Sequence, residues 1–232
     1  MIKVFPGELR YTANHGWLES RFSFSFAEYY DPNNVMFGPL RVFNDDIVAP
    51  GRGFAMHPHQ EMEIVSIVLE GYLKHEDSCC NSATITFGEV QRMSAGTGIF
   101  HSETNPSSEE HVNFLQLWFV PEERGLTPSY EKTAYTVANM KNRLLPIVSK
   151  QSSKEVAYIH QDVTLYLSDL DNASLTYIPK PERKTFLFII EGDAVINDTI
   201  QLHRRDSARI LEEEQIIISS QQGTRFLLID LP

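Results

Sequence analysis

Two short segments of this chain carry side chains that could converge on a metal ion. Gly53-Phe54-Ala55-Met56-His57-Pro58-His59-Gln60-Glu61-Met62-Glu63 places imidazoles at positions i and i+2. Gly96-Thr97-Gly98-Ile99-Phe100-His101-Ser102-Glu103 places an imidazole and a carboxylate with the same spacing. Side chains two apart on an extended strand point to one face, so each pair can meet a single ion. Pro58 removes a ladder donor and suits an edge strand or a strand start. Neutral imidazoles with a carboxylate suit iron, zinc, nickel, copper or manganese better than thiol-seeking ions or an all-oxygen calcium site. A six-coordinate ion held by these four groups keeps two open positions, which metal-assisted chemistry uses and a closed structural zinc site lacks. An isolated H-x-H pair is commonplace on protein surfaces. Two same-face pairs on separate strands, flanked by glycines, form a narrower pattern.

The elements that must position these groups read as strands. Ile64 to Leu69, Ala83 to Phe87, Asn113 to Val120, Leu165 to Leu167, Thr185 to Ile190, Gln215 to Ser219 and Arg225 to Asp230 are short β-branched or aromatic runs separated by turn residues. Gly125 to Asn142 could hold one short helix, and Ala208 to Glu214 is ambiguous. Many short strands argue for sandwiches or barrels rather than a βαβ sheet. A repeat is also visible. Ile67-Val68-Leu69-Glu70-Gly71 resembles Phe188-Ile189-Ile190-Glu191-Gly192, and Phe114-Leu115-Gln116-Leu117 resembles Phe226-Leu227-Leu228-Ile229, in the same order. The chain therefore reads as two copies of one β-unit, 1–130 and 131–232.

Composition narrows the function classes. With 31 acidic against 20 basic residues and a net charge of −11, direct nucleic-acid or anionic membrane-surface binding is disfavoured. Apolar stretches such as Phe186 to Ile190 are far shorter than the roughly 20 residues of a membrane span. The N-terminal sequence lacks the pattern of a secretory signal. Cys79 and Cys80 are chain neighbours and poor disulfide partners, which suits a turn in a reducing compartment; a cytoplasmic location is expected. No phosphate-cradling loop or nucleophilic triad is present.

Gly53…His57-x-His59-x3-Glu63…Gly71, followed by Gly88…Gly98-x2-His101-x3-Asn105, resembles the two cupin motifs. More narrowly, His57-Pro58-His59, Leu69-Glu70-Gly71, His75-Glu76-Asp77-Ser78 and Ser94-Ala95-Gly96-Thr97-Gly98-Ile99-Phe100-His101-Ser102-Glu103 resemble the pirin family, closest to its short bacterial members with quercetinase activity. Phe24-Ser25-Phe26-Ala27, Tyr30-Asp31-Pro32 and Leu40-Arg41-Val42 with Asn44-Asp45-Asp46 fit as well. The resemblance implies an all-β bicupin, two tandem jelly-roll-like barrels. It makes 1–130 the metal-binding cupin and 131–232 a degenerate, metal-free one. It implies one divalent transition metal, iron foremost with zinc, nickel, copper, manganese and cobalt compatible, on His57, His59, His101 and Glu103. General cupins often use the first-motif Glu, here Glu63, as a ligand; the pirin pattern transfers that role to Glu103 and leaves Glu63 supporting the ligands. Where general cupins carry a Pro just before Gly98, Gly96 stands here and reshapes a turn.

The implied activity is that of a quercetin 2,3-dioxygenase, opening a flavonol ring with O2, with Glu103 as the catalytic proton acceptor and a small planar aromatic compound as substrate. The alternative is an iron-dependent regulatory protein acting through a protein partner. A deep apolar pocket favours the enzyme, a flat charged surface the switch. A monomer is expected.

Aligning the repeats sets Ile178 and Lys180 opposite His57 and His59, and Glu213 and Gln215 opposite His101 and Glu103, so the second copy lacks imidazoles at matching positions. His75 either faces the cavity from the strand after Gly71 or is simply hydrogen-bonded. His15, His111, His160 and His203 have no partnered spacing and read as structural or exposed. Asn44-Asp45-Asp46 reads as a turn, and Phe22, Phe24 and Phe26 as one buried aromatic face.

Overall fold

Each of the seven apolar runs forms a strand in the computed structural model, which describes residues 1–232. They become Glu63–Glu70, Ser82–Ile85, Val112–Phe119, Thr164–Leu170, Lys184–Gly192, Ile216–Ser220 and Thr224–Leu231. The helix expected within Gly125 to Asn142 does not form. Ser129–Ala134 instead pairs along Glu89–Ser94 as a strand, and only Val137–Met140 makes a 3-10 turn. A ready sheet edge outweighs weak local helical preference. The ambiguous Ala208 to Glu214 splits into strand Ser207–Ile210 and an acidic loop. No helix is long and apolar enough to cross a membrane.

The chain divides into two compact units. One comprises Tyr11–Tyr135 with Lys150–Gln161. Its larger sheet runs Ser129–Ala134, Glu89–Ser94, Glu63–Glu70, Val112–Phe119, Leu40–Val48, Leu18–Phe22, Tyr11–Asn14, and its smaller sheet Gly53–His59, Ile99–Thr104, Leu73–Asp77, Ser82–Ile85. Leu18, Val48, Val68, Val112 and Phe114 from the larger sheet pack with Leu73 and Ile85 from the smaller, so apolar burial clamps the two sheets together.

The other unit comprises Met1–Arg10, Thr136–Ser149 and Asp162–Pro232. Its larger sheet includes Ile2–Phe5, Ser207–Ile210, Lys184–Gly192, Thr224–Leu231, Thr164–Leu170 and Leu145–Ser149 in that order. Ala173–Tyr177, Ile216–Ser220, Ala194–Ile196 and Ile200–Leu202 make its smaller sheet. Leu187, Ile189, Phe226 and Leu228 meet Ile196, Leu202, Ile216 and Ile218 in one continuous apolar core.

The repeat read from sequence is a repeat of geometry. Phe114 pairs with Val68, and Phe226 pairs with Ile189. Three residues beyond Val68 and Ile189, Gly71 and Gly192 adopt φ +78 and +75. A Cβ at Gly71 would lie 2.6 Å from the His111 carbonyl oxygen, and one at Gly192 2.2 Å from that of Gly223. The Glu-Gly turn thus recurs because the same backbone crossing excludes any side chain.

Gly96 sits in the turn leading to Ile99–Thr104, at φ +48, with Leu126 O only 1.9 Å from where a Cβ would stand. Proline cannot adopt this φ, which accounts for the departure from the general cupin pattern. Gly96→Ala is expected to cost about 2 kcal/mol or more. A thermal melt should fall by roughly 5 °C; an unchanged melt would show the turn to be adaptable.

Candidate metal centre and its cavity

His57 and His59 come from Gly53–His59, His101 and Glu103 from the adjacent antiparallel strand Ile99–Thr104. His101 is the direct cross-strand partner of His57. Between His101 and Glu103 the register slips by one residue, bringing Glu103 opposite Phe54; such a bulge re-aims side chains beside a site.

The three imidazoles converge. Nε2 of His57 lies 2.9 Å from Nε2 of His59 and 3.1 Å from Nε2 of His101. Two nitrogens about 2.1 Å from a common ion and at right angles across it lie roughly 3.0 Å apart, so the donor set fits one shared cation. His57 Nδ1–H donates to the Ala55 carbonyl at 2.7 Å, leaving the Nε2 lone pair facing the centre. Burial, reinforced by His57, lowers His59 to about 4; burial and the neighbouring imidazoles lower His101 to about 2. Both rings are therefore neutral donors near pH 7.

Behind His101, His75 Nδ1 lies 3.4 Å from His101 Nδ1, and His75 Nε2 lies 3.1 Å from Asp77 Oδ2. His75 is fully buried and stacks on Tyr130 with ring centroids 4.3 Å apart. Of the two sequence readings, the hydrogen-bonded one holds. Burial pushes Asp77 up, but hydrogen bonds from Asn81, His75 and the Cys79 backbone outweigh it and hold the group below the usual carboxylate range.

The Glu103 carboxyl is buried and groups with His75 and His101, their ligating atoms within 4.8 Å of one another, while His57, His59 and His101 form a separate group that shares only His101 with it. Its oxygens accept hydrogen bonds from Ser66 Oγ at 2.8 Å, Gln91 Nε2 at 2.6 Å and Gln116 Nε2. Burial lifts Glu103 to about 7, and those three bonds limit the rise. Gln91, Ser66 and Gln116 are successive cross-strand partners, and Asn44 continues the row. A polar row therefore crosses four strands of an otherwise apolar sheet.

His57, His59, His101, Glu103 and Gln116 open onto a cavity of about 720 Å³, within the range of small-molecule sites. Trp17, Leu18, Phe22, Phe26, Phe54 and Trp118 supply its apolar walls. Phe22 and Phe26 meet edge to face at 5.2 Å, as do Phe26 and Trp118 at 5.3 Å. Asn44-Asp45-Asp46 is no turn; it lies inside strand Leu40–Val48. Asn44 and Asp46 line the cavity, while Asp45 accepts from Asn113. Burial raises Asp46 to about 7, opposed by the Ser20 hydrogen bond and assisted by Asp45 and Glu103. His15, which sequence left without a role, lines the same cavity.

The chain matches the Pirin family model over residues 7–119 and a quercetinase C-terminal cupin domain model over 146–231. It is 42% identical over 234 residues to quercetin 2,3-dioxygenase of Escherichia coli K12, covering 100% of this chain and 99% of that one. The chain belongs to the pirin family. A pirin-like protein of Caulobacter vibrioides is 36% identical over 232 residues, with 99% of each chain covered. The crystal structure of the Escherichia coli bacterial pirin YhhW in complex with nickel(II) matches with a TM-score of 0.94 at 40% identity, covering 100% of this chain and 99% of that one. The all-β bicupin class expected from sequence is thus the fold of this pirin.

Glu63 of this pirin does not group with His57, His59 and His101. Fully buried, it accepts from Ser94 Oγ at 2.8 Å, from the His160 backbone N–H at 3.0 Å and side-chain Nδ1 at 2.9 Å, and from the Gln161 N–H at 2.7 Å. The expected supporting contact with the ligands is replaced by a clasp on residues 160 and 161. Sequence reading also passed over Ser66, Gln91 and Gln116. Their signal was a lone polar residue inside an apolar run, Ile64-Val65-Ser66-Ile67-Val68 and Phe114-Leu115-Gln116-Leu117, which in a core position demands a partner.

Because every contact of Glu63 needs an acceptor, Glu63→Gln turns part of the carboxyl into a donor facing donors. The expected loss is about 2–4 kcal/mol, measured by denaturant unfolding, with metal stoichiometry unchanged. Loss of metal without loss of stability would give Glu63 a role at the centre.

Proposed function

We propose that this pirin is a metal-dependent dioxygenase of the quercetin 2,3-dioxygenase type, with His57, His59, His101 and Glu103 holding one divalent transition metal, iron foremost, in the N-terminal cupin 1–130. The observation that carries this reading is the convergence of three Nε2 atoms on an aromatic-walled cavity that the buried Glu103 carboxyl, grouped with His101, also lines. Such a cavity supports the enzyme reading over that of a surface switch. The names of the relatives supply the substrate class, a flavonol, with O2 as co-substrate.

When bound, the cation supplies Lewis acidity and a redox partner for dioxygen. The protein does the rest. Aromatic walls hold a flat ring system and keep water out. Glu103, deprotonated once it holds the cation, is the carboxylate placed at the cavity to take the proton of the flavonol 3-hydroxyl. Ser66, Gln91 and Gln116 keep its oxygens oriented as charge develops there. His57 and His101, fixed by the Ala55 carbonyl and by His75, keep their lone pairs directed inward.

The C-terminal cupin 131–232 is proposed as scaffold. The row Gln91, Ser66, Gln116, Asn44 corresponds through the repeat to Ala208, Leu187, Leu228 and Tyr166, joined by the same cross-strand pairings. A barrel core that pairs Leu187 with Leu228 offers a buried carboxylate nothing to bind.

His101→Ala should reduce flavonol turnover by at least about 10²-fold and lose the metal on gel filtration; Glu103→Gln should retain metal more weakly while turnover falls about 10²–10⁴-fold. Full activity in the double variant would overturn the proposal. Since Glu103 is largely protonated below about 7, metal uptake must displace its proton, and apparent affinity should weaken by up to tenfold for each pH unit below that value. Calorimetry at pH 6 in buffers of differing ionisation enthalpy should find close to one more proton released by wild type than by Glu103→Gln. Equal release would remove Glu103 from the metal's ligands.

A further inference from the structure

Two polar atoms that face no partner in the protein are buried beside this cavity, the Asn44 Oδ1 acceptor and the Trp118 Nε1 donor. Both residues line the cavity that His57, His59, His101 and Glu103 also line. Asn44 is 4% exposed and stands fourth in the polar row, directly opposite Gln116. The first three members of that row all bond to Glu103. Two residues on, Asp46 faces the same way, is 2% exposed and is held by Ser20 Oγ.

A buried carbonyl without a donor costs stability in the unliganded protein, and an apolar side chain of similar size would pack there without that cost. Asn44 Oδ1 carries no open surface of its own, so a ligand meets it when the amide turns toward the cavity that the residue lines, and Asn44 then supplies half of a hydrogen bond whose other half arrives with that ligand. An O–H group can donate to Asn44 Oδ1, and an oxygen lone pair can accept from Trp118 Nε1–H, so a hydroxyl answers both kinds of orphan. The surrounding aromatic walls require that the hydroxyl be carried on a flat apolar body.

We infer that Asn44, assisted by Asp46 and Trp118, forms a hydroxyl-recognition subsite that selects planar aromatic substrates bearing a second hydroxyl, separate from the one that meets Glu103. This rests on the flavonol reading of the site and adds a specificity residue to it. Asn44 discriminates through the unpaired acceptor it would be left with when an analogue lacks that hydroxyl.

The test is anaerobic equilibrium titration of the nickel(II)-loaded protein with quercetin and with 3-hydroxyflavone, which carries only the 3-hydroxyl. Wild type should bind quercetin at least about tenfold tighter than 3-hydroxyflavone. Asn44→Leu should abolish most of that preference by weakening quercetin, leave 3-hydroxyflavone within about twofold, and melt no lower than wild type without ligand. Asp46→Asn, the milder second variant, should weaken quercetin selectively by several-fold. Preference unchanged in both variants, equal weakening of both flavonols, or no preference in wild type would each overturn the subsite alone. Wild type that binds neither flavonol would overturn the flavonol reading and the subsite with it.

Discussion

Enclosing a carboxyl group inside a β-barrel imposes an obligation on every strand that faces it. Water is no longer available to the two oxygens of Glu103, and each unanswered lone pair would cost free energy in a low-dielectric interior. The first unit meets this from across the barrel, with Ser66, Gln91 and Gln116 presented at one level of the larger sheet by neighbouring strands. The bonds are sufficient to keep the group ionisable near neutrality yet too few to fix it as a permanent anion. A carboxyl so balanced can be claimed by a cation or can carry a proton, and both uses depend on the same three donors.

The two units form a natural comparison, because they share backbone pairings while differing in what the interior must satisfy. Ser66 opposite Gln116 in one is Leu187 opposite Leu228 in the other. Glu-Gly turns with nearly equal φ end the corresponding strands in both. Backbone crossing and apolar clamping therefore belong to the fold, whereas the polar row belongs to the site. That separation explains how a barrel of this kind can keep its shape with an apolar centre.

The imidazoles were legible because i, i+2 spacing on a strand leaves little freedom about where side chains go, and the repeat was legible because a turn closed to side chains preserves glycine. Glu63 was misjudged for an instructive reason. The parity it shares with His57 and His59 does not carry across the turn at 60–62. Glu63 opens a separate strand, one residue out of phase with the inward-facing Ile64, Ser66 and Val68. Residues 160 and 161, remote in sequence, take its carboxylate. Asn44-Asp45-Asp46 misled because local preference for turns is strong in such a triplet, while its strand is set by pairing with Leu18–Phe22 on one side and Val112–Phe119 on the other. The polar row could not be assembled from sequence, since its members meet only once the register of four strands is known. Register is a property of the whole sheet, and one slip would have turned each member outward.

A cavity flanked by unpaired polar atoms and walled by aromatic rings is a poor place to gain stability, and this unit gains its stability elsewhere. Leu18, Val48, Val68, Leu73, Ile85, Val112 and Phe114 close one continuous apolar contact between the sheets, and Ile64, Met93, Ala95 and Ile99 form a second. Strands Gly53–His59 and Ile99–Thr104 need only be held by their ladder and by these clusters, which leaves their cavity face free to carry groups chosen for chemistry. Sites whose constituents lower stability are maintained by what they bind. In this barrel the division is spatial as well as energetic. The residues that fasten the sheets and the residues that serve the site occupy successive levels of the same strand faces, as Val68 beside Ser66 and Phe114 beside Gln116, so that each strand serves both purposes without either set displacing the other.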